Sequence, residues 1–236
     1  MKESEGPLGP YFRHVIADDL YGEKSFECAE RKFFESAVRL ALRRGDMTED
    51  DVRYLLGGDL LNQIISAGFA ARSLRIPFLG LYGACSTMAE SLAVGGMLVD
   101  GGYADTVACA VSSHFATAER QYRFPLELGT QRKTTAQWTV TGAGCTVLSD
   151  EGEGLCISGL TVGTVTDYGI IDANNMGAAM APAAADTLLR HFADFERDVD
   201  DYDLIVTGDL GHVGQNLMRE ILAQAGIDPG KRYVDC

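Results

Sequence analysis

Apolar positions recur at helical spacing over residues 25–44 (SFECAERKFFESAVRLALRR), where Phe33, Phe34, Ala37, Val38, Leu40 and Ala41 share a face. Acidic residues come early and arginines late, an order that suits the helix dipole, and Gly45 follows as a C-terminal cap. Thr48 opens a short capped turn, T-E-D-D, leading to a brief apolar strand over 54–56 that Gly57-Gly58-Asp59 stops. The pattern then predicts a helix over about 61–74, a buried strand over 76–82, a helix over about 86–99 and a strand over 106–111. Helices alternating with short apolar strands define an α/β layered fold.

The order then repeats. Residues 181–195 read as another helix, with Pro182 in its first turn. Residues 200–210 align with 50–60 without a gap, at an offset of 209 − 59 = 150. Asp50-Asp51 matches Asp200-Asp201, and Gly58-Asp59-Leu60 matches Gly208-Asp209-Leu210. In each copy a helix, a strand and a cysteine follow, with Cys85 26 positions after Asp59 (85 − 59) and Cys236 27 after Asp209 (236 − 209). So ordered a series indicates internal duplication. The first copy runs on through a helix, a strand and a hairpin to about residue 163, whereas the second reaches only Cys236. By that comparison the chain is short of a duplicated whole by roughly 80 residues. Apolar surface is then expected to lie uncovered where strands are lacking, and the Pro/Gly-rich start has no strand of its own. The expected organisation is an extended segment over 1–24, a first half over 25–165 and a partial second half over 166–236.

A net charge of -14 and a pI near 4.6 argue against nucleic acid, and against direct adhesion to anionic lipid. Residues 1–10 lack the apolar stretch of a signal peptide, and the most apolar region, 76–99, is interrupted by Glu90 and several glycines. Any membrane association is therefore expected through a protein partner. None of the six cysteines forms a C-x-x-C pair or sits at zinc spacing with histidine. The expectation is a reduced, intracellular protein with no metal and no cofactor.

Gly83-Ala84-Cys85-Ser86-Thr87 joins a buried strand to a helix. Glycine permits the tight turn, and the helix N-terminus offers free N–H groups and a positive dipole that stabilise a thiolate. The sequence context admits two readings, a nucleophile or a small buried residue at a strand end. The residues resemble the nucleophile turn of thiolases and type III ketoacyl synthases. Residues 141–148 (TGAGCTVL) resemble the glycine-rich hairpin that closes the first half of those proteins. The duplication is similar to their doubled βαβαβαββ core, which implies an internally duplicated α-β-α-β-α layered fold with an incomplete second half. A narrower resemblance is to the stage V sporulation protein AD family. It is carried by residues 58–63 (GDLLNQ), 112–114 (SSH) with 116–121 (ATAERQ), and 176–187 (MGAAMAPAAADT), and it extends over about 6–236.

That resemblance implies a soluble, non-catalytic subunit that binds dipicolinic acid, alone or with calcium. It implies work with membrane subunits of the spore dipicolinate transport machinery, synthesis in the cytoplasm and a peripheral place at the inner forespore or spore membrane. It implies a homodimer through the thiolase-like core. The condensing enzymes also use a His and an Asn or second His from their second half, expected beyond Cys236, so no condensation activity is expected. A planar dianion needs charge-assisted donors and an aromatic wall. Cys85 and Ser86 at the elbow, and His114, Thr117, Glu119, Arg120 and Arg123 with Tyr122 as a wall, are the candidates, and Asn62 would face the elbow. The plainer account of Glu119, Arg120 and Arg123 is ion pairing on a solvated face, and that of His114 is a satisfied structural histidine.

His191 reads as a surface residue, His14 carries no argument, and His212 is a candidate cap for the helix it opens. Asp59 and Asp209, at matching strand ends, read as acceptors of N–H groups from the turns that follow. Arg132 and Lys133, within 130–135, lie in a loop that could enter a partner's pocket. Two alternatives stay open: an acyltransferase of the ketoacyl synthase III type using Cys85, and a purely structural subunit.

Overall fold

In a computed structural model, which describes residues 8–124 and 133–236, Ser25 starts helix α1 (Phe26–Arg44) by accepting the Cys28 N–H at 3.3 Å. Glu27 lies in the first turn and Arg43 and Arg44 in the last, as the dipole favours. Strand β1 (Tyr54–Gly58), helix α2 (Ile65–Leu74), strand β2 (Phe78–Gly80), helix α3 (Thr87–Asp100) and strands β3 (Thr106–Ser113) and β4 (Gly142–Ser149) complete the first unit, Met1–Tyr122 with Thr139–Ile157. Its sheet has the order β2-β1-β3-β4, with β1 parallel to both neighbours and β4 antiparallel to β3. One face buries Leu55, Ala108 and Ala110 against Phe34, Val38 and Leu42 of α1 and Ala67, Ala70 and Ala71 of α2. The other buries Leu56, Val107 and Cys109 under Met88, Leu92 and Val99 of α3. Each large apolar side chain so covered contributes roughly 1.5–3 kcal/mol. At the centre of the sheet β1 needs glycine, since a Cβ on Gly57 would stand 1.7 Å from the Ala110 carbonyl oxygen.

The second unit, Arg123–Trp138 with Ser158–Cys236, contains helix α4 (Met176–Phe195), strand β5 (Ile205–Thr207), helix α5 (Gly211–Gln224) and strand β6 (Tyr233–Asp235), with β5 and β6 parallel. Ala181, Ala185 and Phe192 of α4 and Met218 and Leu222 of α5 bury Ile205 and Tyr233. The duplication extends to capping chemistry. Thr48 with Asp51 and Asp198 with Asp201 form capping boxes at short 3-10 turns 150 positions apart (198 − 48).

Several expectations change. Helix α4 begins at Met176, because the Asn175 side chain accepts the Ala178 N–H, so Pro182 lies inside the helix rather than in its first turn. Helix α2 begins only at Ile65, and β2 keeps three residues where seven were expected, since the chain from Leu81 turns into the elbow. His191 is half-buried, with Nδ1 2.9 Å from Thr161 Oγ1 and Nε2 2.8 Å from the Tyr202 hydroxyl. His212 does not cap α5. The N–H groups of Leu210 and Gly211 donate instead to Asp235 and Asp209. Arg132 lies outside the described residues.

Candidate functional site

β2 ends at Gly80, and Leu81–Gly83 lead into a 3-10 turn, Ala84–Ser86, that opens directly into α3. Ala84 takes a left-handed φ of 50°, and a Cβ on Gly83 would press on two side-chain ends, Glu90 Oε2 at 2.4 Å and Ser86 Oγ at 2.8 Å. The Ser86 hydroxyl donates to the Gly83 carbonyl at 2.8 Å and braces the turn. Cys85 and Ser86 are exposed at the N-terminal end of α3, at the carboxyl edge of the parallel strands, where α/β sheets place their ligands.

Two loops frame this elbow. Asp59, at the end of β1, accepts the N–H groups of Leu61 at 2.8 Å and Ala67 at 2.6 Å, which folds residues 60–64 over the sheet edge. From the loop after β3, the Glu119 N–H donates to the Leu60 carbonyl at 2.8 Å, and Glu119 Oε1 accepts the Asn62 N–H at 3.1 Å. Asn62 Oδ1 in turn accepts the Tyr82 hydroxyl at 2.8 Å. Tyr122 completes the group. Burial, then the neighbouring Tyr82, Cys85 and Glu119, push its phenol above the usual range. Threonines leading into β4 hold the loop from behind: Thr141 Oγ1 accepts the Phe115 N–H at 3.1 Å, and Thr139 Oγ1 donates to the Tyr122 carbonyl at 2.7 Å.

Of the candidate residues, Cys85, Ser86, Asn62 and Glu119 therefore meet at the elbow with Tyr122. Arg120 is exposed on the same loop, and Arg123 ends the same 3-10 turn but belongs to the second unit. His114 and Thr117 turn inward instead. His114 is 2% exposed and packs against Phe26 with ring centroids 4.9 Å apart and the rings tilted by 40°. Its Nδ1 accepts the Ala116 N–H at 3.1 Å, which leaves Nε2 as the protonated nitrogen, donating to the Asp19 carbonyl at 3.1 Å. Burial lowers its pKa, so both nitrogens serve the fold and the ring is neutral. Thr117 Oγ1 donates to Glu30 Oε2 at 2.5 Å, below the loop.

Sequence reasoning passed over two residues. Tyr82 is 62% exposed and walls the elbow; its signal was an aromatic three positions ahead of the cysteine, just before the glycine. Glu30 is wholly buried, and its signal was an acid at i−4 from Phe34 on the apolar stripe of α1. Among the described residues no group of three or more His, Cys, Asp and Glu side chains is arranged to hold a metal. A cavity of about 390 Å³ lies at the opposite ends of the strands, lined by Asp50, Asp51, Arg53, Tyr103 and Asp105, and takes no part in the elbow.

A repeated unit with a cysteine elbow on a mixed sheet is the thiolase-like fold, which solved ketoacyl synthase III structures share. A 3-oxoacyl-(acyl-carrier-protein) synthase III superimposes with a TM-score of 0.63 at 16% identity, over 87% of this chain and 70% of that one. OleA of Xanthomonas campestris does so with a TM-score of 0.62 at 13% identity, over 100% of this chain and 79% of that one. Within that fold the sequence is specific. The family model for stage V sporulation protein AD matches residues 1–236, and the stage V sporulation protein AD of Bacillus subtilis (strain 168) is 50% identical over 235 residues, 100% of this chain and 70% of the relative. The chain belongs to the stage V sporulation protein AD family. No described helix is long and apolar enough to cross a membrane.

Proposed function

We propose that this chain is a non-catalytic, dipicolinic-acid-binding subunit of the spore dipicolinate and calcium transport machinery, with the Cys85 elbow as its ligand site. Family membership supports the sporulation role. The observation that carries the ligand reading is the elbow itself, where the N-terminal end of α3 meets two aromatic walls, Tyr82 and Tyr122. A helix N-terminus favours a carboxylate, and the tyrosines suit a flat aromatic ring. Arg120 is the cation on the rim. The protein docks at the inner spore membrane through partner subunits of the transport complex. It pairs with a second copy along β2, the outer strand of its sheet, beside which Ile65, Phe69 and Leu79 stand exposed.

Titration calorimetry with dipicolinate, with and without calcium, tests the reading. Saturable heat that Tyr82→Ala weakens about tenfold is expected, the scale of one lost stacking contact. No heat at millimolar dipicolinate would refute it. The exposure of Cys85 at a helix N-terminus favours one other function, acyl transfer through that thiol. An acyl adduct on Cys85 after incubation with acetyl or malonyl thioesters, seen by mass spectrometry, would select it.

A further inference from the structure

The buried stripe of α1 runs Glu30, Phe34, Val38 and Leu42, and Glu30 is its one polar member. Its carboxyl reaches across to two other parts of the first unit. Oε1 accepts the hydroxyl of Ser112, near the end of β3, at 3.2 Å, and Oε2 accepts that of Thr117 in the following loop. Ser66 of α2 lies beside the same carboxyl, its Oγ buried and without a hydrogen-bond partner among the described residues. Asp59, at the end of β1, is the charged group that faces Glu30; β3 and α2 face it with hydroxyls, and the charged neighbours of His114 are Asp19 and Glu27.

The loop that Glu30 holds is the one that builds the elbow. Two residues after Thr117, Glu119 ties Leu60 and Asn62, Asn62 receives Tyr82, and the Tyr122 N–H donates to the Glu119 carbonyl at 3.0 Å. We propose that Glu30 is a positioning residue for the elbow, its buried carboxyl taking up or releasing one proton and so setting how the 112–122 loop seats Glu119, Asn62, Tyr82 and Tyr122. The inference rests on reading the elbow as a ligand site. A neutral carboxyl is satisfied there: it accepts from Ser112 and gives its own proton to Thr117 Oγ1, whose hydroxyl then donates to the His114 carbonyl at 3.2 Å. A carboxylate in the same place faces Asp59 with no cation beside it among the described residues, and moving the loop outward admits water. Burial pushes the Glu30 carboxyl up to about 7, so the change falls near neutrality.

Amide hydrogen exchange on the ligand-free protein reads the loop directly. Between about pH 6 and pH 8, after correction for intrinsic rates, the Asn62, Glu119 and Tyr122 amides are expected to lose protection at least about threefold more than Val107 and Ala108 inside β3. Glu30→Gln keeps the shape without the proton and is expected to abolish that excess. An excess in the variant equal to wild type, or none in wild type, overturns the proposal. Should the variant fail to fold, carbon NMR of the wild-type carboxyl decides: the Glu30 titration must move the Asn62 and Glu119 amides in step, and a titration they ignore overturns it. Dipicolinate calorimetry at the same two pH values is expected to show about threefold weaker binding at the higher pH in wild type and none of that change in Glu30→Gln. Absence of any dipicolinate binding refutes the ligand reading alone, because the exchange result still decides the role of Glu30.

Discussion

Replacing Glu30 by Gln should make the stability of the first unit less sensitive to pH, and the size follows from the burial of the carboxyl. Glu30 is 0% exposed, and desolvation, with Asp59 adding to it, raises its pKa from 4.5 to about 7 against the hydroxyls of Thr117 and Ser112. In the unfolded chain the same group ionises near its ordinary value. Between those two values the native state therefore holds more protons than the unfolded one, and stability falls as pH rises. Glu30 stabilises fully below the unfolded pKa, and the contribution is lost as pH climbs through about 7. A shift of that size corresponds to about 3 kcal/mol, a large part of a stability of about 5–15 kcal/mol.

His114 acts in the opposite sense. Its pKa lies below 6.5 because burial disfavours the imidazolium, so its contribution is present above the unfolded value and falls away as pH drops. The wild-type profile mixes the two, whereas the difference between wild type and Glu30→Gln removes His114. Urea unfolding followed by far-ultraviolet circular dichroism, from about pH 5 to pH 8, measures that difference, with Trp138 emission reporting separately on the second unit. The variant should gain about 2–3 kcal/mol relative to wild type between those limits, with the Trp138 transition unchanged. Parallel stability profiles for the two proteins would refute the reasoning.

Three further outcomes are expected. Phe34→Ala removes a ring that is 0% exposed between α1 and the sheet, and should cost about 3–5 kcal/mol in the same urea assay. Gly177→Ala should destabilise the second unit by about 1–3 kcal/mol or more, read from Trp138 emission, because its Cβ would stand 2.0 Å from the Leu210 carbonyl oxygen where α4 meets α5. In the folded protein iodoacetamide should label exposed Cys85, Cys156 and Cys236, as peptide mass mapping would show. Cys109 and Cys145, whose thiols burial pushes up to about 11 and about 12, should react only on unfolding.

The elbow and the alternation of elements were legible because each depends on local rules: a glycine at a tight turn, a helix with its charges ordered by the dipole, strands bounded by Gly-Gly-Asp. The direction of the 112–122 side chains was not. Nothing within that segment says that His114 and Thr117 turn inward, because the groups that hold them, Asp19, Phe26 and Glu30, come 95, 88 and 87 positions earlier (114 − 19, 114 − 26 and 117 − 30). Glu30 itself was visible as an acid on an apolar stripe. Reading the stripe from Phe33 onward hid it, although Glu30 and Phe34 are a helical turn apart.

The duplication shows how far a constant offset can be trusted. Through the capping boxes and the first strands it holds at 150, so that Leu55 and Ile205 occupy the same place (205 − 55) and each packs against the two helices of its own unit. It holds to the end of the next helix, where Leu74 of α2 matches Gln224 of α5 (224 − 74 = 150), and then it breaks. Four positions lead from Leu74 to the first residue of β2 and nine from Gln224 to that of β6 (78 − 74 and 233 − 224), so the five added residues lie in the connection between helix and strand. The strands after the helices therefore match at an offset of 233 − 78 = 155, from the pairs Leu55↔Phe78 and Ile205↔Tyr233. At that offset Cys236 stands level with Leu81, not with the elbow cysteine (236 − 155 = 81), so the near-equal cysteine spacing was a coincidence laid over a real repeat. The repeat itself therefore rests on strand register and capping, which a longer connection between helix and strand leaves intact.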